Sequence, residues 1–117
     1  MAAITKVLLS GSTNGKAIKV VQTASAGTTI HTAVSGATDL DEIWLWAQNS
    51  SAGDVKLTLE WGEATAPDGN IEVTIPGEQG LVQVAPGLLL QDSLVVKAFA
   101  SSANVILIHG FANRLDL

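Results

Sequence analysis

The sequence predicts an all-β chain, an antiparallel and jelly-roll-like β-sandwich of about eight or nine short strands with little or no helix. Three observations predict it. Val55, Leu57, Leu59 and Trp61 share one parity with Lys56, Thr58 and Glu60 between them, the two-residue period of a strand with one face buried and one wet. Turn signals punctuate the chain about every 8 to 14 residues. No window longer than about a dozen residues keeps the 3.6-residue apolar period of a helix. A closed barrel is the alternative arrangement of the same strands.

Taken in order, Ala3 to Ser10 reads as a strand or an extended arm, cut off by the breaker Gly11-Ser12-Thr13-Asn14-Gly15. Residues 1–15 are therefore either an N-terminal arm or the first strand, and 16–117 form one sandwich domain. As an arm, Ile4, Val7, Leu8 and Leu9 would dock on a partner by strand addition. Lys16 to Thr23 places Ile18 and Val20 on one parity, and Thr28 to Val34 is rich in β-formers. Glu42 to Trp61 reads as a β-hairpin across Asn49–Asp54. Its first half is apolar on both faces, with Ile43, Leu45 and Ala47 on one and Trp44 and Trp46 on the other. Such a strand is central in a covered sheet or has its second face against a partner. Pro67-Asp68-Gly69 marks a turn, and Asn70 to Ile75 alternates with Ile71, Val73 and Ile75 inward. Leu81 to Ala85 is a short strand stopped by Pro86-Gly87, and Leu88-Leu89-Leu90 reads as a buried crossing segment. Ser93 to Ala100 and Asn104 to Phe111 predict a last hairpin across Ser101-Ser102-Ala103. The expected core packs Trp61 with Leu57, Leu59, Ile71, Val73, Leu94, Val96 and Leu107.

Composition bounds the function. The 117 residues make one domain large enough to bury a core without staples. With no cysteine, disulfides, thiolate metal sites and a cysteine nucleophile are excluded. The apolar run after Lys6 is too short for a signal peptide, and none is long enough for a membrane span, so a soluble protein that folds where it is made is expected. Apolar residues reach 47% and charged ones only 15%, against a usual charged share of about 25%. Part of that apolar surface is expected to meet other subunits. A net charge of −5 with no cluster of Lys and Arg argues against nucleic acid.

The candidate chemistry is thin. Gly11-Ser12-Thr13-Asn14-Gly15-Lys16 departs from a phosphate loop, because three residues separate its glycines and Ala17 follows the lysine. Asp39, Asp41 and Glu42 match no EF-hand spacing and read as a solvated turn. His31 and His109 lie on separate strands among apolar neighbours and read as satisfied, partly buried side chains. No cofactor, metal site or catalytic arrangement is expected, and the protein is not predicted to be an enzyme. Asn49-Ser50-Ser51 matches a glycosylation acceptor, which without a secretory signal says only that the loop is exposed. Trp44 and Trp46 are the sharpest feature. Side by side they would form either a subunit interface or second core, or a platform that stacks on sugar rings. Their same-face neighbours on the strand, Glu42 and Gln48, supply few groups to hold sugar hydroxyls, which favours the interface or core.

GTTIHTAV (Gly27 to Val34), DEIWLWAQN (Asp41 to Asn49), LTLEWG (Leu57 to Gly62), IEVTIP (Ile71 to Pro76), VAPGLLL (Val84 to Leu90) and the closing stretch from Val96 to Leu115 resemble small capsid decoration, or cement, proteins of tailed bacteriophages. The resemblance covers most of the chain, and its motifs are strands and turns. It implies a β-rich structural protein on the exterior of the virion, made in the host cytoplasm, that holds neighbouring major capsid protein subunits together. It implies no catalytic residue. A homo-oligomer is expected, a trimer matching three-fold points of a capsid, with Trp44 and Trp46 as contacts. The alternative is a glycan-binding head-fibre or tail module.

Overall fold

Alternation along each strand sorts the side chains into an inner and an outer set, and the tertiary fold stacks two sheets on their inner sets. The computed structural model describes residues 3–117. In chain order the strands are β1 (Ala3–Leu8), β2 (Ile18–Lys19), β3 (Thr28–Thr32), β4 (Leu40–Asn49), β5 (Val55–Trp61), β6 (Asn70–Ile75), β7 (Val82–Leu90), β8 (Val95–Ala100) and β9 (Ile106–Asp116). One sheet runs β1-β9-β4-β7, with the short β2 also paired to β9, and the other runs β3-β8-β5-β6. All pairs are antiparallel. The expected all-β sandwich is what forms, with no helix among the described residues.

The strand pairs β1–β9, β3–β8, β4–β7 and β5–β6 nest one inside the next. The chain is one long hairpin, folded at the Gly62–Gly69 loop and rolled up, which is the jelly-roll arrangement. This corrects both hairpins expected from sequence. β4 and β5 lie in different sheets, as do β8 and β9. Paired strands are about 4.8 Å apart and stacked sheets about 10 Å, so the Ser50–Asp54 and Ser101–Val105 connections are corners between layers. Asn49 builds the first corner. Its Nδ2 donates to the carbonyls of Gly53 (2.8 Å) and Ile75 (3.0 Å), and its Oδ1 accepts from the Ser51 amide (2.9 Å). The loop is exposed as expected at Ser50 and from Ala52 to Asp54, but Asn49 itself is 2% exposed and its amide is engaged in the corner.

The core is made by Ile43, Leu45 and Ala47 of β4, Val55, Leu57 and Leu59 of β5, Val96 and Ala98 of β8, and Ile106 and Ile108 of β9, with Ile18, Val20, Ile30 and Ile75 around them. Several expectations shift. Trp61, Ile71 and Val73 only flank this core, Leu94 is exposed, and Leu107 lies on the opposite face of β9 from Ile106 and Ile108. Leu88 and Leu89 are exposed parts of a continuous β7 rather than a buried crossing. Pro86 is tolerated there because β7 is an edge strand whose register against β4 shifts twice. The outer side of β5 is wet only at Lys56. Thr58 and Glu60 are buried, because the chain before β3 covers Glu60, whose carboxylate accepts from Ser25 Oγ and from the Gly27 amide at 2.7 Å. Residues 3–8 form an edge strand paired to β9 over its whole length.

Candidate functional site

The two sheets differ in what they turn outward. On the four-stranded sheet the outer positions include Lys56 and Glu72, an exposed ion pair at 2.6 Å, together with Thr74 and Lys97. On the five-stranded sheet the outer row of β4 is Glu42, Trp44, Trp46 and Gln48, the residues that alternate with the buried Ile43, Leu45 and Ala47. The β4–β9 register sets Trp44 opposite Phe111, Trp46 opposite His109, Gln48 opposite Leu107 and Glu42 opposite Asn113. The β1–β9 register continues the rows, with Leu8 opposite Phe111, Lys6 opposite Asn113 and Ile4 opposite Leu115. One mixed surface, apolar and aromatic at its centre with Glu42, Gln48, His109, Asn113 and Lys6 around it, thus runs across three strands, and it follows from period-two alternation on strands whose other face is core.

Trp44, Trp46 and Phe111 form its centre. Their ring centroids lie 6.4, 6.4 and 6.1 Å apart with interplanar angles of 17°, 18° and 30°. Three nearly equal separations make a triangular patch, since in a column the outer rings would be twice as far apart. The patch is held rigidly. Trp44 Nε1 donates to Glu42 Oε1 at 2.7 Å, and Asn113 Nδ2 donates to the same oxygen at 3.0 Å. Those hydrogen bonds, Asn113 first and Trp44 second, keep the Glu42 carboxyl below its usual range. Lys6 Nζ stands 4.6 Å over the Phe111 ring. Two glycines let the strands and ring come together. A Cβ on Gly110 would sit 2.1 Å from the Trp44 carbonyl oxygen, and one on Gly87 would sit 2.8 Å from the Trp44 ring. Gly87 also has φ +76, the left-handed region that favours glycine.

The residues expected at an interface divide between the faces. Trp44, Trp46, Ile4 and Leu8 share the outer surface, with Ile4 69% and Leu8 56% exposed. Val7 packs on the core from the inner side of β1, and Leu9 is buried just after it. These last two are therefore unavailable to a partner while β1 is in place. Phe111, Leu107, His109, Lys6 and Asn113 belong to the face and were missed in sequence. The alternation of Leu107, His109 and Phe111 was visible, but nothing local says that β9 lies beside β4. His109 also departs from its expected satisfied state, because its Nδ1 is buried with no hydrogen-bond partner.

A second polar group lies in the interior. Asp41, expected in a solvated turn, is fully buried on the inner side of β4. Its Oδ1 accepts from Arg114 Nε at 2.8 Å. Its Oδ2 accepts from Arg114 Nη2 (2.9 Å), His31 Nε2 (2.8 Å) and the Val34 amide (3.1 Å). Burial pushes the Asp41 carboxyl up, but the hydrogen bonds from Arg114 and His31 together with the Arg114 charge outweigh it and hold the carboxyl below its usual value. The His31–Asp41 pair has the outline of a catalytic dyad without a nucleophile. His31 Nδ1 accepts from the Ser10 backbone amide at 3.0 Å rather than from a hydroxyl. Among the described residues no group of three His, Asp or Glu is placed to hold a metal.

No family model matches the chain, and no curated protein or solved structure matches it.

Proposed function

We propose that this protein is a structural component of a phage virion, a capsid decoration or cement protein that lays the outer face of its five-stranded sheet against the major capsid protein and bridges its subunits. The observation that carries the reading is the one-sidedness of the sandwich, an aromatic patch with exposed Ile4 and Leu8 on one sheet and the exposed Lys56–Glu72 pair on the other. Half-buried aromatic rings with exposed apolar side chains beside them on one face are a mark of interaction surfaces. Buried tryptophans are the commonest anchors of protein interfaces. The resemblance of the strand and turn motifs to decoration proteins supports the same reading, as does the low charge. The working form is a homo-oligomer, a trimer seated on three-fold points of the shell, on the capsid exterior after synthesis in the host cytoplasm.

Replacing Trp44 and Trp46 together by Ala tests this. Each tryptophan at the centre of an interface contributes about 2 kcal/mol or more, so affinity for emptied capsids should fall by about 700-fold or more. The far-ultraviolet circular dichroism spectrum should stay that of a β-protein, because both rings lie outside the inner core. Undiminished binding by the double variant would remove this face from the interface. Sedimentation equilibrium of the wild-type protein at micromolar concentration checks the trimer.

The second reading, a glycan-binding module, is favoured by the nearly parallel rings beside an ionised Glu42 and the amides of Gln48 and Gln83. Against it, the Trp44 Nε1 and Asn113 Nδ2 donors are spent on Glu42 Oε1 rather than left for sugar hydroxyls. A saturable change in tryptophan fluorescence on adding oligosaccharides, with no capsid binding, would select it.

A further inference from the structure

We propose that His31 is an acid-sensitive latch: adding a proton to its Nδ1 breaks the hydrogen bond that moors Ser10 and frees the N-terminal strand β1 from the sandwich.

The argument starts from hydrogen-bond direction. A backbone N–H can only donate, so the 3.0 Å contact from the Ser10 amide requires a lone pair on His31 Nδ1. The ring proton then sits on Nε2, where it is given to Asp41 Oδ2 at 2.8 Å. The site accepts one tautomer of the neutral ring. An imidazolium would set an Nδ1–H against the Ser10 N–H, and it would do so with His31 at 1% exposure. Charge points the same way. The ionisable groups facing His31 are Asp41 from β4 and, across that carboxylate, Arg114 from β9, with Asp39 beyond Arg114. Arg114, whose side chain is 36% exposed, already gives a hydrogen bond to each Asp41 oxygen, so a charged ring would come to a carboxylate that has its counter-ion.

Ser10 is the hinge between β1 and the other sheet. Besides its amide bond to His31, its Oγ accepts from the Thr32 amide at 2.6 Å, and the next residue, Gly11, donates to the Ile30 carbonyl at 2.9 Å. The approach is close enough that a Cβ on Gly11 would lie 2.5 Å from the Thr29 carbonyl oxygen. N-terminal to this mooring, β1 pairs with β9 alone. Leu9 just after it and the half-buried Val7 within it are its anchors, while Ile4 and Leu8 are exposed. Loosening Ser10 loosens Leu9 with it. The released strand carries an apolar row, and it uncovers the edge of β9 from Phe111 to Asp116. Both are ready for strand addition. The latch does not depend on the capsid reading.

Amide hydrogen exchange on the full chain between about pH 8 and pH 5, where imidazoles gain a proton, tests the latch after correction for intrinsic exchange. Protection of Ser10, Gly11 and the β1 amides should fall as pH falls, by up to about tenfold per pH unit for a single linked proton. The Leu57 and Leu59 amides of β5 should keep theirs. In His31→Gln the fall should be absent. Nitrogen chemical shifts of the His31 ring should show Nε2–H at pH 8, a reading that stands even if the variant does not fold. A proton on Nδ1 at pH 8, pH-independent protection of β1, or an equal loss in β5 would each overturn the latch.

Discussion

Replacing Asp41 by Ala should lower stability by about 3 kcal/mol at neutral pH, the low end of the range for breaking a buried ion pair, because Arg114 is 36% exposed and can turn to water. The size comes from what is left behind. His31 Nε2–H and the Val34 amide lose their acceptor in the interior, and Arg114 loses both of its contacts. By contrast, Lys56→Ala at the exposed pair with Glu72 should change stability by no more than about 1 kcal/mol. Asp41 also sets an acid limit. Its folded value lies below its ordinary 3.8, so its contribution is complete above the unfolded value and is lost as pH falls through the folded one. Urea denaturation at pH 7 and below pH 4 checks both points. The wild-type protein should lose stability towards the lower pH, and the variant should lose less over the same interval. A variant within about 1 kcal/mol of wild type at pH 7 would mean that the buried group is not maintained in solution.

Leu59→Ala should cost about 2–5 kcal/mol, the range for a fully buried leucine whose cavity cannot collapse. Leu59 has no exposed surface and lies between β6 and β8, opposite Ile71 and Ala98. Trp61→Ala should cost less, about 1–2 kcal/mol, because this ring only flanks the core and recovers part of its burial value. From sequence alone both side chains belong to one core, and only the packing ranks them. Chemical denaturation of the two variants side by side decides it, and a larger loss at Trp61 would place that ring deeper than the sandwich geometry does.

The outer face of β4 shows how far a sequence reaches. Trp44 and Trp46 stand out as a pair opposite Ile43, Leu45 and Ala47, and that division is correct in the folded chain because it depends only on the two-residue period of one strand. Phe111 completes the patch from more than sixty residues away in the chain. No property of its own segment names Trp44 as its neighbour. Leu107 illustrates the opposite error. In the apolar run Val105 to Ile108 both parities look alike, and the tertiary fold buries Ile106 and Ile108.

Asp41 was the least legible residue. In sequence it is one of three nearby carboxylates after a Ser-Gly-Ala-Thr stretch, which reads as a wet turn. Its burial is tolerable only because Arg114, 73 positions away, and His31, 10 positions away, reach it. A lone carboxylate would not remain there.

By itself, then, the sequence determined the fold class, most strand positions and which side chains share a face, since all three follow from local period, turn chemistry and the absence of helical spacing. The tertiary structure alone decided which strands are neighbours, which loops are corners between sheets and which distant charges meet. Backbone hydrogen bonds pair any strand with any other. The choice among pairings is made by burying the whole inner set at once, a property of the assembled chain and of no single segment of it.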